Sequence, residues 1–203
     1  MLCALDDNQI LELLQLQLKS YWGGNKQFIL GNEDKKNMRD ALSKTDKCFS
    51  MCKSDFYHKN GETVFHVEHS VQYSIFLYFL SNTLYHSNKI DKASSVYYLN
   101  KIMNGVELFY AVELPEHFNA EHPLGSVMGK ASYGDYFFFY QGCTVGGNMK
   151  GNQLFYPTIG SHVTMYSNAK ILGDCHIGNN VVIGANSYIK DMDVPNNSIV
   201  FGQ

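Results

Sequence analysis

The side chains with intrinsic chemistry in this sequence are eight histidines, five cysteines, and 16 lysines and arginines set against 19 acids. Imidazole, with an unperturbed pKa of about 6.5, can take and return a proton near neutrality, so each histidine is a candidate base. The histidines are scattered rather than gathered in a tract, and a lone histidine is by default a surface or satisfied structural residue. The cysteines are odd in number and form no Cys-x-x-Cys pair, which argues for reduced packing thiols rather than a disulfide framework or a zinc site. A net charge of −3 gives no electrostatic footing for nucleic acid.

Any such chemistry must be positioned, and the chain has two grammars for doing so. Over residues 1–111 apolar residues recur at helical spacing. Asp6-Asp7-Asn8 offers an N-cap before Ile10, Leu13, Leu14 and Leu18, and Gly23-Gly24 ends that segment. A polar helix is expected from Glu33 to about Cys52, an apolar one within His66–His86, and a last one capped by Asp91. The richest apolar runs, Tyr73–Leu80 and Tyr136–Tyr140, fall far short of the roughly 18 residues that span a bilayer. The start, Met1-Leu-Cys-Ala-Leu-Asp-Asp, carries no basic stretch before an apolar core, so a cytoplasmic location is expected.

Over residues 112–203 a period of six replaces the helical one. Ile159, Met165, Ile171, Ile177, Ile183 and Ile189 hold one phase, with Val163, Ala169, Cys175, Val181, Ser187 and Asp193 four positions on. Val127, Tyr133, Phe139 and Val145 extend the phase backwards, and eight additional residues interrupt it between Val145 and Ile159. An inward aliphatic, a small corner residue and Gly/Asn turn residues in each hexad build one face of a triangular prism, whose strands stack in parallel. The expected fold is α+β: an N-terminal helical domain followed by a left-handed parallel β-helix of hexapeptide repeats, with a loop at 148–157.

Helices followed by hexads, together with His122-Pro-Leu-Gly-Ser-Val-Met-Gly129 and Tyr140-Gln-Gly-Cys-Thr-Val-Gly-Gly147, resemble the serine O-acetyltransferase family of hexapeptide acyltransferases. Gln141, Thr144, Gly146 and Gly147 occupy that family's motif positions. Ala169-Lys-Ile-Leu-Gly173 and Val194-Pro195 match further stretches, and the excursion has the length of the family's active-site loop. The resemblance implies acetyl-CoA as donor, a hydroxyl as acceptor and no metal.

Acyl transfer from a thioester needs a base, donors for the oxyanion and a slot that aligns two substrates. By the resemblance His122 is the base, and Val112-Glu113-Leu114 resembles the stretch that carries the acid orienting it. Glu113, however, lies nine residues before His122, six fewer than the family's interval. Glu121 matches an acid that contacts the acceptor. Gly146 and Gly147 would let backbone amides approach the thioester, Ser167 and Ala185 would leave room for the pantetheine arm, and Lys170 and Lys190 are candidates for the CoA phosphates.

The loop departs from the family, reading Phe155-Tyr156-Pro157 where serine acetyltransferases have Arg-His-Pro. Loss of that cation would remove a bond to a carboxylate worth on the order of 2 kcal/mol, about thirtyfold in affinity. An aromatic pair is a platform for a sugar ring, although it could equally pack the loop on a neighbouring subunit. A sugar or glycan-precursor hydroxyl is therefore the expected acceptor, with free serine or an amino-sugar amine as alternatives.

A zinc hydratase of the γ-carbonic anhydrase type is a weaker reading. His117 and His122 have its spacing, but the third histidine is missing from the hexads. The intact His122, Gln141, Thr144 and Gly146-Gly147 set speaks against a bare scaffold. The resemblance further implies a homotrimer with each active site between two subunits, and a hexamer if trimers pair.

Overall fold

The computed structural model describes residues 1–202 and divides the chain into two compact units, Met1–Asn104 and the remainder from Gly105.

In the first unit four helices follow the apolar spacing. Helix α1 (Asp7–Trp22) buries Ile10, Leu11, Leu14 and Leu18. The Asp6 carboxylate accepts from the Asn8 and Gln9 amides while the Gln9 side chain accepts from the Asp6 amide, a reciprocal cap that contributes about 1 kcal/mol. Helix α2 (Lys35–Ser50) starts later than its apolar pattern suggests, because Asn32–Asp34 wind as a 3₁₀ turn. Helix α3 (Ser70–His86) is buried on every side from Val71 to Leu84, which is why its apolar residues form a dense series rather than a stripe. Helix α4 (Ile90–Asn104) begins one residue before Asp91, which sits in its first turn instead of capping it. A small sheet of Leu2–Cys3, Glu62–Phe65 and His58–Lys59 joins them; strands this short show no period in sequence. Among the described residues no helix is long and apolar enough to cross a membrane.

The second unit is the left-handed parallel β-helix. Its first face stacks Glu107–Leu108, Val127–Met128, Thr144–Gly146, Lys170–Leu172 and Tyr188–Lys190. The second stacks Ser132–Tyr133, Thr158–Ile159 and His176–Ile177. The third stacks Phe118–Ala120, Phe137–Phe139, Thr164–Met165, Val182–Ile183 and Ile199–Val200. Inward residues align in columns; on the first face Leu108, Met128, Val145, Ile171 and Ile189 are all buried.

Two expectations need correction. The prism starts at Gly105, upstream of the expected boundary at 111/112, because Glu107–Leu108 already pairs with Val127–Met128. Met128, not Val127, is the inward residue of its strand, since Val127 pairs with Thr144 and Met128 with Val145. That coil is one residue shorter than the six-residue phase allows.

The corner entering the first face is a ladder of left-handed residues: Gly105, Gly125, Gly142, Asn168 and Asn186, with φ of 62°, 73°, 66°, 62° and 61°. Only glycine and asparagine take this conformation readily, which accounts for those residue types at these turns. Each coil's corner amide donates to the carbonyl of the coil before it, as in Gly125 to Gly105 at 2.8 Å and Asn186 to Ser167 at 2.9 Å.

Candidate active site

His122 is set by a widened corner. Between Ala120, at the end of a third-face strand, and the corner Gly125 lie four residues; the next coil has only two between Phe139 and Gly142. The additional residues push His122 outward in a left-handed conformation, φ 49°, with its side chain 78% exposed. Its carbonyl accepts from the Leu124 amide at 2.7 Å, which holds the bulge. The Glu121 carboxylate lies 3.7 Å from His122 Nε2. Burial, then the charges of Glu121 and Tyr166, push the Tyr140 phenol above its ordinary value, and the Tyr140 ring stacks on that of Tyr166.

Below that bulge, Leu124, Gln141, Ser167 and Ala185 each precede a rung of the corner ladder. Ser167 and Ala185 therefore lie along the edge that carries His122. Lys170 is occupied: its ammonium donates to the Gly142 carbonyl and braces the corner. Lys190 is exposed at the opposite end of the first face.

That opposite edge carries the second group of expected site residues. The excursion is a β-hairpin, Asn148–Lys150 against Gln153–Phe155, turning at Gly151 with φ 60°. A Cβ on Gly147 would meet Tyr156 Cε1 at 2.9 Å and Leu154 Cδ1 at 3.0 Å, so this glycine lets the hairpin fold back; at Gly146 there is room for a Cβ, with Leu172 at 3.7 Å. The hairpin is tethered by Asp191, whose carboxylate accepts from Asn148 Nδ2 at 2.8 Å and the Asp174 amide at 2.9 Å, with Lys150 at 3.5 Å. Lysines cover both loop rings: Lys150 Nζ is 5.3 Å from the Phe155 centroid and Lys130 Nζ 4.6 Å from that of Tyr156. Neither ring is the bare platform expected from the sequence.

Glu113 is exposed in the stretch between Glu107–Leu108 and Phe118–Ala120, where the chain passes from the first face to the third. Val106-Glu107-Leu108 repeats the Val-Glu-Leu pattern one hexad earlier, at the interval from His122 that the resemblance requires. Glu107 pairs with Val127 on the face that the His122 corner enters, and its amide donates to the Ser126 carbonyl at 2.9 Å. The two copies of the triplet differ in sequence only by this interval, which Glu107 has and Glu113 lacks.

Burial raises the Cys143 and Cys175 thiols above their ordinary value, so neither is a poised nucleophile. Among the described residues no three His, Cys, Asp or Glu side chains gather to hold a metal ion.

Residues 156–191 match the bacterial transferase hexapeptide family (six repeats). A serine acetyltransferase of Synechococcus elongatus is 38% identical over 106 residues, 52% of this chain and 43% of that protein. One of Staphylococcus aureus is 30% identical over 131 residues, 64% of this chain and 61% of that protein. The chain thus spans less than two thirds of the length of these relatives. The crystal structure of Neisseria gonorrhoeae serine acetyltransferase superposes with a TM-score of 0.63 at 25% identity, covering 95% of this chain and 70% of that one. The chain is a helical unit joined to a left-handed β-helix of hexapeptide repeats, similar in sequence and in fold to the serine acetyltransferases.

Proposed function

We propose that the protein is an acetyl-CoA-dependent O-acetyltransferase whose acceptor is the hydroxyl of L-serine. The carrying observation is His122 raised on a widened corner at the head of the column of Gln141, Ser167 and Ala185, in a chain similar to serine acetyltransferases. The sugar acceptor expected from Phe155 and Tyr156 finds no support in those relatives, and lysines cover both rings.

In this reading His122 takes the hydroxyl proton as the oxygen attacks the thioester carbonyl, and returns it to the departing thiolate. Glu107 orients the imidazole and balances its positive charge, in place of Glu113. Glu121 lies beside the acceptor, and Ser167 and Ala185 leave a channel for the pantetheine arm. Lys190 is the lysine left for the CoA phosphates, because Lys170 is held by Gly142. Acetyl-CoA supplies the acyl group.

His122 and the hairpin stand at opposite edges of the first face, so one copy holds only half a site at each edge. A three-fold assembly about an axis parallel to the prism would bring one copy's His122 edge against the next copy's hairpin edge and shield the imidazole from water. Such a rotation leaves heights along the prism unchanged.

The test is CoA release from acetyl-CoA with L-serine and a panel of neutral and amino sugars. Serine-dependent release that His122→Ala abolishes, with an alkali-labile acetate on the product, is the expected result. A sugar turned over faster than serine, or release indifferent to His122, overturns the reading.

A further inference from the structure

We propose that Lys130 binds the carboxylate of the acceptor, making it the specificity-determining cation of a site whose loop carries no arginine. The proposal rests on the acetyltransferase reading above and assigns the residue that would select an amino acid over a neutral alcohol.

A carboxylate bound out of water needs a cation or several hydrogen-bond donors. The sequence contains one arginine, Arg39, in the helical unit and ion-paired with Asp7 at 2.6 Å. Cations at the prism edges must therefore be lysines. Lys150 stands between Asp174 and Asp191, each at 3.5 Å, so its charge is already neutralised. Lys170 is spent on the Gly142 carbonyl. Lys190 lies on a coil far down the face, beyond Leu172 in the stack.

Lys130 differs from all three. Its ammonium sits over the Tyr156 ring, and among the described residues no acidic group lies within ion-pair distance of it. A ring face holds a cation in place without cancelling its charge, so the ammonium is oriented and still free to take an anion. Its placement is fixed from below: a Cβ on Gly129 would come within 2.6 Å of the Val145 carbonyl oxygen, so glycine there lets the coil pack tightly as the chain turns toward Lys130.

Height along the prism supplies the second argument. Lys130 leaves the first face directly after Val127–Met128, the strand that the His122 corner enters, so base and cation belong to one coil. Rotation about an axis parallel to the prism would set one copy's Lys130 level with its neighbour's His122. Coils stack about 4.8 Å apart, so Lys190, three coils below Val127–Met128, lies too far down to reach that level. Tyr156 then acts as the seat of the lysine, and the loop arginine implied by the resemblance is replaced by a cation delivered from the coil.

The experiment compares L-serine with L-serinamide, which keeps the hydroxyl and amine but lacks the negative charge, in wild type, Lys130→Gln and Lys130→Arg. Expected is a KM for serine raised about tenfold or more in Lys130→Gln, with kcat within about twofold, an unchanged KM for serinamide, and partial rescue in Lys130→Arg. Equal effects on both acceptors, or none on serine, overturn the Lys130 assignment and leave the transferase reading standing. Wild type that prefers serinamide, or a neutral sugar, also overturns it. Absence of acceptor-dependent CoA release with every acceptor defeats both readings.

Discussion

At the scale of single residues, the proposed base His122 needs a carboxylate, and two are candidates. Two Val-Glu-Leu triplets lie one hexad apart, and only topology separates them. Glu107 pairs within the face entered by the His122 corner, whereas Glu113 belongs to the passage toward another face. Glu107→Gln is expected to lower kcat by about a hundredfold or more with little change in KM, within the roughly hundred- to ten-thousandfold that general acid–base catalysis contributes. Glu113→Gln should stay within about twofold of wild type in the same assay, and reversed results would restore Glu113. The motif around His122 singles that residue out in the sequence because it fixes the neighbours on both sides, and the structure sets it on an exposed corner. The proposed role of Lys130 has no such signal, because a lysine after a glycine says nothing until the Tyr156 ring is found beneath its ammonium. The role of Gly147 was half legible: a close approach is there, but it is made by Leu154 and Tyr156 of the hairpin.

At the scale of elements, two carboxylates hold segments that local propensity alone would not. Asp34, fully buried, binds Lys89 at 2.7 Å and Lys92 at 2.5 Å and accepts from the Gly31 amide at 2.8 Å, tying the start of α2 to α4. Burial opposes its charge, but the Gly31 amide and the two lysines outweigh it and hold its carboxyl below the usual range. A folded-state pKa below the unfolded one means this contribution is present above the unfolded value of about 3.9 and is lost as pH falls through the folded value. Asp34→Asn leaves Lys89 without its carboxylate and Lys92 with Glu33 alone, in partly buried surroundings. It should cost about 3 kcal/mol by denaturant unfolding at neutral pH, with the gap to wild type closing in acid. Asp191 tethers the hairpin in the same manner, its carboxyl lowered chiefly by the Asp174 amide. Asp191→Ala should speed tryptic cleavage after Lys150 several-fold while the far-ultraviolet dichroism stays unchanged; an unaltered cleavage rate would show that the hairpin holds without its tether. The helices and hexads were readable because their periods run for many residues. The two- to four-residue strands beside α3, and the one-residue contraction that makes Met128 the inward residue, were not, since neither lasts long enough to show a phase.

At the scale of the whole molecule, the proposed site divides between two edges of the prism, and that division makes a prediction that no single-chain site shares. If one copy supplies His122 and its neighbour Lys130, a chain lacking one residue can be complemented by a chain lacking the other. His122→Ala assemblies should be inactive, and Lys130→Gln assemblies should work only at high serine. Dissociating the two variants, mixing them in equal amounts and reassembling them should produce about a quarter of interfaces in which an intact His122 faces an intact Lys130, as random filling of a closed head-to-tail ring requires. Those sites would turn over low concentrations of serine with the wild-type KM, an activity neither parent has. Were both residues to act from the same chain, every mixed site would still carry a defect, and low-serine activity would never rise above the sum of the parents. The same logic gives activity a concentration dependence. With its imidazole 78% exposed in an isolated copy, dilution below the assembly's dissociation constant should abolish turnover without unfolding either unit, and light scattering on the same samples would show mass falling in step with rate.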